Sequence, residues 1–360
     1  MKIIHTGDIH LGSALRNLSA EKAGVRKAEL LDTFRRLCTY ARENGVTAVL
    51  IAGDLFDGNQ FSGVLKNEVF AAMEGAKPVC FFYVFGNHDC GVYFEGRKPD
   101  NLYLFSQNHG WQGYDLPENI TLTGIDSQFL NARQYAALRL RAERFNIVMM
   151  HGDIRRGDNE NEGIALAKLQ NQSIDYLALG HIHQPALQAE RLDGRGRFRY
   201  CGCLEGRGFD EIGPRGFFLL EVEQGRLKSE HFIPFARREI VERAVDISAC
   251  ESYYDVERAV LDGLRGVRRE DLVKIVLRGR HKAGLKKDVA LLSARFAQNF
   301  FHVKVVDESR IFIDYTAFEN DLSERGEFVR EVSRYQMTEE ERAEILDVGL
   351  KALSGEEIDL

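Results

Sequence analysis

Five predicted strands of this chain each lead into a short stretch of polar residues. The strands are indicated by apolar or β-branched runs at residues 2–6, 47–52, 79–85, 146–150 and 176–179. Predicted helices at residues 25–43 and 63–74 separate the first three runs. This alternation predicts βαβ units and therefore a layered α/β domain. Open sheets of this class keep their functional residues in the loops at the carboxyl ends of the strands.

The five strand ends carry side chains that are able to bind metal ions. They are Asp8, His10, Asp54, Asn87, His151, His181 and His183. Carboxylate and amide oxygens together with neutral imidazoles suit manganese, iron or zinc, whereas calcium prefers a cage of oxygens. One such residue alone is typical of a turn, but the whole set predicts a site for two transition-metal ions.

The segments after His151 are expected to complete the domain. A helix is predicted at residues 164–170, and the runs at 198–201, 217–223 and 227–233 are predicted to be antiparallel strands that complete a second sheet. The sequence therefore predicts a first domain over residues 1–235.

The strand and helix pattern restarts after residue 236. A helix is predicted at 253–264, a strand at 272–278, a helix at 287–296, and strands at 302–306 and 310–314. Two helices follow, at 322–335 and 339–353, and the second has Thr338 as its N-cap and Glu341 three residues later. We therefore expect a small α/β cap domain over residues 236–318 and a C-terminal helical segment over residues 319–360.

Composition sets bounds on the class of protein. With 360 residues, of which 44% are hydrophobic, the chain is able to bury a sizeable core. No apolar run approaches the length of a membrane span, and the chain opens on a strand rather than a signal peptide. We therefore expect a cytoplasmic protein with no membrane partner. The six cysteines form no Cys-x-x-Cys pair, which argues against a zinc ribbon or a disulfide scaffold.

Charge is distributed unevenly along the chain, whose formal net charge is −7. Residues 237–304 carry 15 basic and 10 acidic side chains, whereas residues 305–360 carry 6 and 16. Because Lys and Arg drive contact with nucleic-acid backbones, the basic segment predicts a nucleic-acid-binding surface. Its residues are Arg265, Arg268, Arg269, Arg278, Arg280, Lys282, Lys286 and Lys287. An ordinary charged surface accounts for them equally well.

Five motifs, in this order, resemble those of the calcineurin-like metallophosphoesterase superfamily. They are Gly7-Asp8-Ile9-His10, Gly53-Asp54, Gly86-Asn87-His88-Asp89, His151-Gly152 and Gly180-His181-Ile182-His183. Residues 52–57 and 206–216 are also similar to bacterial DNA repair exonucleases of the SbcD and YhaO type. The resemblance implies two facing sheets flanked by helices, with a small α/β cap and C-terminal helices.

The resemblance also implies which residues bind each metal ion. One ion would take Asp8, His10, Asp54 and His183, and the other Asp54, Asn87, His151 and His181, so that Asp54 bridges them. Manganese is the expected metal, with iron or zinc as alternatives. A hydroxide between the two ions would attack phosphorus. His88, which is assigned to neither ion, would protonate or stabilise the leaving oxygen, and Asp57 would orient its ring.

The predicted function is that of a metal-dependent phosphodiesterase, most specifically a DNA exonuclease or endonuclease in DNA repair. The resemblance implies two partners, DNA held by the cap and a coiled-coil ATPase similar to SbcC that docks on the C-terminal helices. Packing of those helices on their own catalytic domain accounts for their apolar face equally well. Pairing of two chains is left open. A phosphodiesterase or phosphatase for small molecules such as nucleotides is the first alternative, because the superfamily core serves both. A non-catalytic scaffold of the same fold is the second, and the complete set of ligand positions argues against it.

Overall fold

The computed structural model of the protein describes residues 1–13, 18–58, 61–89, 98–105, 110–155, 163–282, 285–312, 318 and 320–353. The chain divides into two compact units, Met1–Glu239 and Ile240–Leu360. The roles predicted for the segments 1–235, 236–318 and 319–360 stay predictions. Among the described residues, none of the helices combines the length and the apolar character that a membrane crossing requires.

The first unit contains most of the strands. They are β1 (Lys2–Thr6), β2 (Val46–Ala52), β3 (Cys80–Val84), β4 (Leu102–Leu104), β5 (Gln112–Leu116), β6 (Ile120–Gly124), β7 (Phe145–His151), β8 (Ile154–Arg155), β9 (Ile164–Ala165), β10 (Tyr176–Gly180), β11 (Glu190–Arg191), β12 (Arg197–Tyr200), β13 (Gly216–Glu223) and β14 (Arg226–Pro234). Its helices are α1 (Ala20–Glu43), α2 (Gly63–Gly75), α3 (Ala132–Ala137) and α4 (Leu166–Leu169).

The first sheet has the strand order β14-β13-β1-β2-β3-β4. Strands β1 to β4 are parallel, as βαβ connections require. The side chains of β2 alternate between two cores: Val49 and Ile51 pack with Phe34 of α1, whereas Ala48 and Leu50 face the other way. Successive side chains of a strand point to opposite faces of the sheet, and both faces of β2 are buried. The sequence of β2 is therefore a nearly continuous apolar run.

The second sheet has the order β11-β12-β10-β7-β6-β5 and covers the inner face of the first. Leu50 of β2 belongs to the same buried cluster as Met149 of β7 and Ala178 of β10. The outer face of the second sheet is covered in part by Tyr135 of α3 and Leu169 of α4. The predicted fold class, two facing sheets flanked by helices, is therefore confirmed.

One part of the predicted topology is wrong. The runs at 217–223 and 227–233 were expected in the second sheet, but β13 and β14 extend the first sheet, where β13 pairs antiparallel with β1. The run at 198–201 does lie in the second sheet, as β12, but parallel to β10. Strand propensity and alternation identify a strand without identifying its neighbour, which is set by long-range packing.

Two predicted helices of this unit differ from the observed ones. Helix α1 begins at Ala20 rather than at residue 25, because Ser19 caps it and accepts a hydrogen bond from the amide of Lys22 at 3.4 Å. The helix predicted at 164–170 is reduced to α4, because Ile164 and Ala165 pair with β8 as strand β9. Tertiary pairing has overridden local helix preference there.

The second unit contains a small parallel sheet. Its elements are β15 (Ile240–Asp246), α5 (Tyr253–Gly263), β16 (Leu272–Arg278), β17 (Arg280–Lys282), α6 (Val289–Phe296), β18 (His302–Asp307), β19 (Arg310–Phe312), α7 (Glu324–Ser333) and α8 (Glu339–Leu353). The order β15-β16-β18 is parallel throughout, and β17 pairs with β19. Strand β15 was not predicted, and residues 313–314 of the predicted last strand lie outside the described residues.

The two C-terminal helices pack against each other within the second unit. Leu346 and Leu350 of α8 are buried in one cluster with Val329 and Val332 of α7. The predicted N-terminal cap of α8 is present, since Thr338 Oγ1 accepts from the Glu341 amide at 3.2 Å and the Glu341 carboxylate accepts from the Thr338 amide at 2.9 Å. The apolar face of α8 is thus used, at least in part, inside its own unit.

Candidate metal centre

The seven predicted ligands come together at one edge of the two facing sheets. Asp8 and His10 follow β1, Asp54 follows β2, and Asn87 lies in a 3-10 turn after β3. His151 is the last residue of β7, and His181 and His183 follow β10. Because β1, β2 and β3 are parallel neighbours and β7 pairs parallel with β10, their carboxyl ends meet at the same edge.

Four of the predicted ligands have a positive backbone φ. Asp8, His10 and Asp54 adopt φ values of 48°, 48° and 49°, and His181 has a φ of 108°. A left-handed backbone costs an ordinary residue about 1–3 kcal/mol and persists only where the surroundings impose it. Here the amides of Ile9 and His10 both donate to the carbonyl of Asp54, each at 2.9 Å, which ties the two loops together.

Glycine is required where these loops approach each other. A methyl group at position 180 would overlap the carbonyl oxygen of Ala52, and one at position 86 would overlap the carboxylate of Asp54. The two glycines therefore let β10 and the loop after β3 come within hydrogen-bonding distance of the ligands.

Asp8, His10 and His183 form the first group of metal-binding atoms, with all three within 4.8 Å of one another. The Nε2 atoms of His10 and His183 are 3.1 Å apart. The Asp8 carboxylate accepts the amide of His181 at 2.9 and 3.0 Å, which fixes its orientation beside the two rings. Two imidazole nitrogens and a carboxylate therefore point at a common position.

His151, Asn87 and His181 form the second group. His151 Nδ1 lies 2.9 Å from the carbonyl oxygen of Ala52, which can only accept, so Nδ1 carries a proton. Nε2 of the same ring faces two further acceptors, Asn87 Oδ1 at 3.0 Å and Asp54 Oδ2 at 3.4 Å. Asn87 Oδ1 also lies 3.1 Å from His181 Nδ1. Several lone pairs therefore face one another here, and either a proton or a metal ion must lie between them.

Asp54 lies between the two groups. Its Oδ2 is 3.7 Å from His10 Nε2 and 3.4 Å from His151 Nε2, and its Oδ1 accepts the amide of His88 at 2.8 Å. One carboxylate in contact with both groups is what a two-metal site requires of a bridging ligand. The mixture of imidazole nitrogens with carboxylate and amide oxygens fits two transition-metal ions.

The pKa values of the ligands reflect burial and the neighbouring charges. Burial raises the pKa of Asp8 to about 7. Burial also disfavours the charged form of His151, yet Asp54 and Asp8 outweigh it and raise the pKa of that ring to about 9. For His10, burial and the nearby Arg207 lower the pKa to about 2. His10 is therefore neutral and ready to ligate, whereas a cation must displace a proton from His151.

Residues 1–185 match the family model described as calcineurin-like phosphoesterase, which is more than half of the chain. The chain belongs to the calcineurin-like phosphoesterase family. The family predicted from the five motifs is confirmed. The family supports a hydrolase and uses a dinuclear metal centre, for which this chain has candidate groups of ligands. The identity of the metal stays a prediction.

This calcineurin-like phosphoesterase is similar in sequence to a further metallophosphoesterase and to two proteins named for DNA repair or nuclease activity. The metallophosphoesterase YhaO of Bacillus subtilis, itself uncharacterized, is 26% identical over 303 residues, which is 78% of this chain and 72% of the relative. The DNA double-strand break repair protein Mre11 of Methanopyrus kandleri is 26% identical over 315 residues, 77% and 64% of the two chains. A subunit of the nuclease SbcCD from Staphylococcus epidermidis is 23% identical over 276 residues, 65% and 69%.

Of the two residues predicted to be catalytic, His88 lies next to the predicted metal ligands, whereas Asp57 makes no hydrogen bond to the His88 ring among the described residues. His88 is exposed, and its ring centroid lies 4.8 Å from that of His10. Its ring is also close enough to His10 and Asp54 to form a further group of possible metal-binding atoms with them, although it was predicted to bind neither ion. The amide of Asp57 donates to the carbonyl of Leu11 at 3.1 Å. Within the described residues no hydrogen bond joins the Asp57 carboxylate to the His88 ring, so the proposed orienting role of Asp57 stays a prediction.

Two residues beside the metal-binding groups were not singled out from the sequence. Glu211 Oε1 lies 2.6 Å from His183 Nδ1, and Arg207 Nη2 lies 3.0 Å from the same nitrogen. Burial opposes ionisation of Glu211, but His183 and Arg207 lower its pKa to about 2. Both residues belong to the stretch 206–216, which is similar to the SbcD and YhaO type, and that similarity is the signal that could have identified them.

Asp89 and Asp153 follow two of the ligand motifs and have different tasks. The Asp89 carboxylate accepts the amides of Phe56 and Gly86, at 3.0 and 2.9 Å, and so joins the loops after β2 and β3. Asp153 Oδ2 lies 3.5 Å from His181 Nε2. Asp153 therefore contacts a predicted ligand, whereas Asp89 holds the backbone that carries one.

The basic residues predicted to contact nucleic acid do not form one continuous surface in the second unit. Arg265, Arg268 and Arg269 precede β16, whereas Arg278, Arg280 and Lys282 lie at or after its other end, with Lys286 and Lys287 following. A strand of seven residues separates its ends by about 20 Å.

Most of these basic side chains are already paired within the unit. The pairs are Arg265 with Asp262 at 2.6 Å, Arg268 with Asp271 at 2.6 Å, Arg278 with Glu308 at 3.2 Å, Lys282 with Glu251 at 3.2 Å and Lys287 with Asp307 at 2.5 Å. In the part of the chain that the structure describes, no ion pair involves Arg269, Arg280 or Lys286. These three exposed side chains offer the most available positive charge of the predicted set.

Proposed function

We propose that this calcineurin-like phosphoesterase is a two-metal phosphodiesterase that cleaves DNA. The observation that carries the proposal is the position of Asp54 Oδ2, 3.7 Å from His10 Nε2 and 3.4 Å from His151 Nε2, between two groups of metal-binding atoms. Asp8, His10 and His183 would hold one ion, and Asn87, His151 and His181 the other, with Asp54 shared. When bound, two divalent cations polarise a phosphoryl oxygen and lower the pKa of water towards neutrality.

His88 is the proposed proton donor to the leaving oxygen. Its amide donates to the shared ligand Asp54 at 2.8 Å, so the main chain fixes the residue beside the centre. Its side chain is exposed and able to reach an incoming ester. General acid catalysis of this kind contributes about 100- to 10,000-fold to a rate.

Arg207 is the proposed contact for a phosphoryl oxygen. Its guanidinium lies 3.0 Å from a ring nitrogen of His183, and its side chain is 19% exposed, so it faces the centre without being open to bulk solvent. A cation in such a partly shielded position stabilises developing negative charge more strongly than it would in water.

DNA is the proposed substrate because of the relatives' names. Two of them are named as a DNA double-strand break repair protein and as a subunit of the nuclease SbcCD. These relatives also support a partner of the SbcC type and a role in DNA repair, which we propose together with manganese as the physiological metal. Pairing of two chains stays open.

Hydrolysis of labelled single- and double-stranded DNA with Mn²⁺ tests this proposal. Asp54→Asn should abolish hydrolysis, because it weakens the ligand shared by both ions. His88→Ala should slow DNA cleavage by about 100-fold or more but have little effect on a p-nitrophenyl phosphodiester, whose leaving group needs no proton. Asp210→Asn makes the same chemical change as Asp54→Asn at an exposed position and should behave as wild type. Wild type that cleaves no nucleic acid, or Asp54→Asn with full activity, would refute the proposal.

A second candidate function is hydrolysis of small phosphodiesters such as nucleotides. It is favoured by the ion pairs that already occupy five of the eight basic side chains predicted to contact nucleic acid. Replacing Arg269, Arg280 and Lys286 together by Gln separates the two functions. A polymer-cleaving enzyme should lose activity on DNA and keep it on the small ester, whereas unchanged activity on both substrates would favour the second candidate.

A further inference from the structure

Glu211 is a buried carboxylate whose polar partners surround a predicted metal ligand. Only 7% of the residue is exposed. Its Oε1 lies 2.6 Å from His183 Nδ1, and its Oε2 accepts the amide of Arg207 at 2.7 Å and the thiol of Cys203 at 3.6 Å. A buried carboxylate with this many directed contacts is held in one orientation.

The contact with Glu211 determines which nitrogen of His183 is available. A carboxylate can only accept at this distance, so the proton of the ring lies on Nδ1. Arg207 Nη2, 3.0 Å from Nδ1, therefore cannot donate to that nitrogen, and its two acceptors in this group are Glu211 Oε1 and His183 Nε2, each at 3.4 Å. The bare nitrogen is Nε2, which faces His10 Nε2 at 3.1 Å.

The same loop also holds the main chain of His183. The amide of Cys203 donates to the His183 carbonyl at 3.0 Å, and the amide of Glu211 donates to the Gly208 carbonyl at 2.9 Å, which closes the turn that carries Glu211. His183 is thus fixed at its backbone by Cys203 and at its ring by Glu211.

His151 is the second histidine of the centre whose tautomer is fixed by a hydrogen bond. Its partner is a main-chain carbonyl rather than a side chain. His151 Nδ1 donates to the main-chain carbonyl of Ala52 at 2.9 Å. Substitution of a side chain does not remove that contact. A change at Glu211 should therefore act on the group that contains His183 and leave the group that contains His151 intact.

We infer that Glu211 is a positioning residue which holds His183 in the Nδ1-protonated tautomer and so sets the affinity of one of the two metal sites, the one formed with Asp8 and His10. This inference rests on the proposed dinuclear site. Partners that orient a ligating histidine in this way are worth about 10- to 100-fold in metal affinity.

Two measurements on Glu211→Gln test the inference, with Asp210→Asn as the matched control in the same loop. Long-range ¹H–¹⁵N spectra without added metal report which ring nitrogen of His183 carries the proton, with the signal assigned by its loss in His183→Gln. Stepwise titration with Mn²⁺ by calorimetry gives the affinity of each site. We expect a mixture of tautomers, and one binding step weakened by about 10- to 100-fold while the other is unchanged. The control should match wild type in both measurements.

An unchanged tautomer, unchanged affinities, or an equal loss in both steps together with a lower melting temperature would overturn the inference. If Glu211→Gln does not fold, Glu211→Asp takes its place, since it keeps the charge but is one methylene too short to reach the ring. Glu211→Asp should also weaken one of the two Mn²⁺-binding steps. Wild-type affinity at both steps in Glu211→Asp would contradict the inference. Neither measurement involves DNA, so a protein that cleaves no DNA but shows the one-step loss would refute the proposed function and leave the inference standing.

Discussion

Replacing Arg26 by Met should destabilise the first unit strongly, because Arg26 is a fully buried cation between two buried carboxylates. Its guanidinium donates to Glu29 at 2.6 Å, to Glu205 at 2.9 Å and to the Gly206 carbonyl at 2.8 Å. Glu29 would keep its pair with Arg238 at 2.6 Å. Among the described residues, Arg26 is the only cation paired with Glu205, which is 2% exposed.

The size of the effect follows from the charge that is left behind. Glu205 would retain hydrogen bonds from the Thr33 hydroxyl at 2.7 Å and the Arg237 amide at 2.5 Å, but no cation. An uncompensated buried charge of this kind costs about 3–5 kcal/mol of the free energy of unfolding. For a domain of this size that loss corresponds to a melting temperature lower by about 6–20 °C.

Urea unfolding followed by the fluorescence of Trp111, the single tryptophan, measures this free energy within the first unit. The matched control is Arg35→Met on the same helix, where the side chain is 47% exposed and pairs with Glu68 at 3.1 Å. A surface pair of this kind contributes at most about 1 kcal/mol.

A double substitution identifies the cause. Arg26→Met combined with Glu205→Gln removes both buried charges, so the double variant should be more stable than Arg26→Met alone, since replacing a buried pair by neutral groups is often close to neutral. The reasoning is refuted if Arg26→Met costs no more than Arg35→Met, or if the costs of the two single substitutions simply add.

Two further predictions concern the metal centre. Because Asp54 and Asp8 raise the pKa of His151 to about 9 and burial raises that of Asp8 to about 7, the ring is protonated and Asp8 ionised between these values. Cation binding at pH 8 should therefore release about one proton, and affinity should rise up to about tenfold per pH unit from pH 7 to 9 and level off above. Calorimetry in two buffers of different ionisation enthalpy counts that proton, and a count of zero would contradict the assignment. Gly180→Ala should weaken Mn²⁺ binding and lower the melting temperature, because the added methyl group overlaps the Ala52 carbonyl oxygen. Gly24→Ala on α1, where a Cβ meets nothing within 4 Å, should instead stabilise the protein by about 0.5–1 kcal/mol. Equal melting temperatures for the two variants would show that position 180 is not closely packed.

The sequence predicted the parts of the fold that depend on local pattern. Strand β1 and helix α8 have the predicted bounds. The first residue of β2 and both ends of β3 differ from the prediction by one residue. Each of these segments has a clear hydrophobic period or a side-chain cap, as with Thr338 before α8. Their positions were enough to bring the seven predicted ligands to one edge, because parallel strands place their carboxyl ends together.

The features that the sequence did not reveal depend on contacts between distant residues. The pairing of β13 with β1 joins residues about 215 positions apart in the chain, as in His5 opposite Phe218, and no local pattern encodes it. Glu211 was missed for a related reason. Its contact with His183 spans 28 residues and becomes visible only when the turn after Cys203 has folded back onto the loop after β10.

The arrangement of the ligands links metal binding to the stability of the two-sheet domain. Each group draws on both sheets: His183 from the second sheet joins Asp8 and His10 from the first, and His151 from the second joins Asn87 from the first. Drawing buried carboxylates and imidazoles to one edge costs stability, as do the left-handed conformations of Asp8, His10 and Asp54. Cations that bind only the folded chain offset those costs, by about 2.7 kcal/mol for each site at a concentration one hundred times its Kd. We therefore expect metal binding at this centre to stabilise the contact between the two sheets. In the proposed site, Glu211 orients the ligand His183 and the Ala52 carbonyl orients the ligand His151, so the two metal-binding groups depend on different contacts.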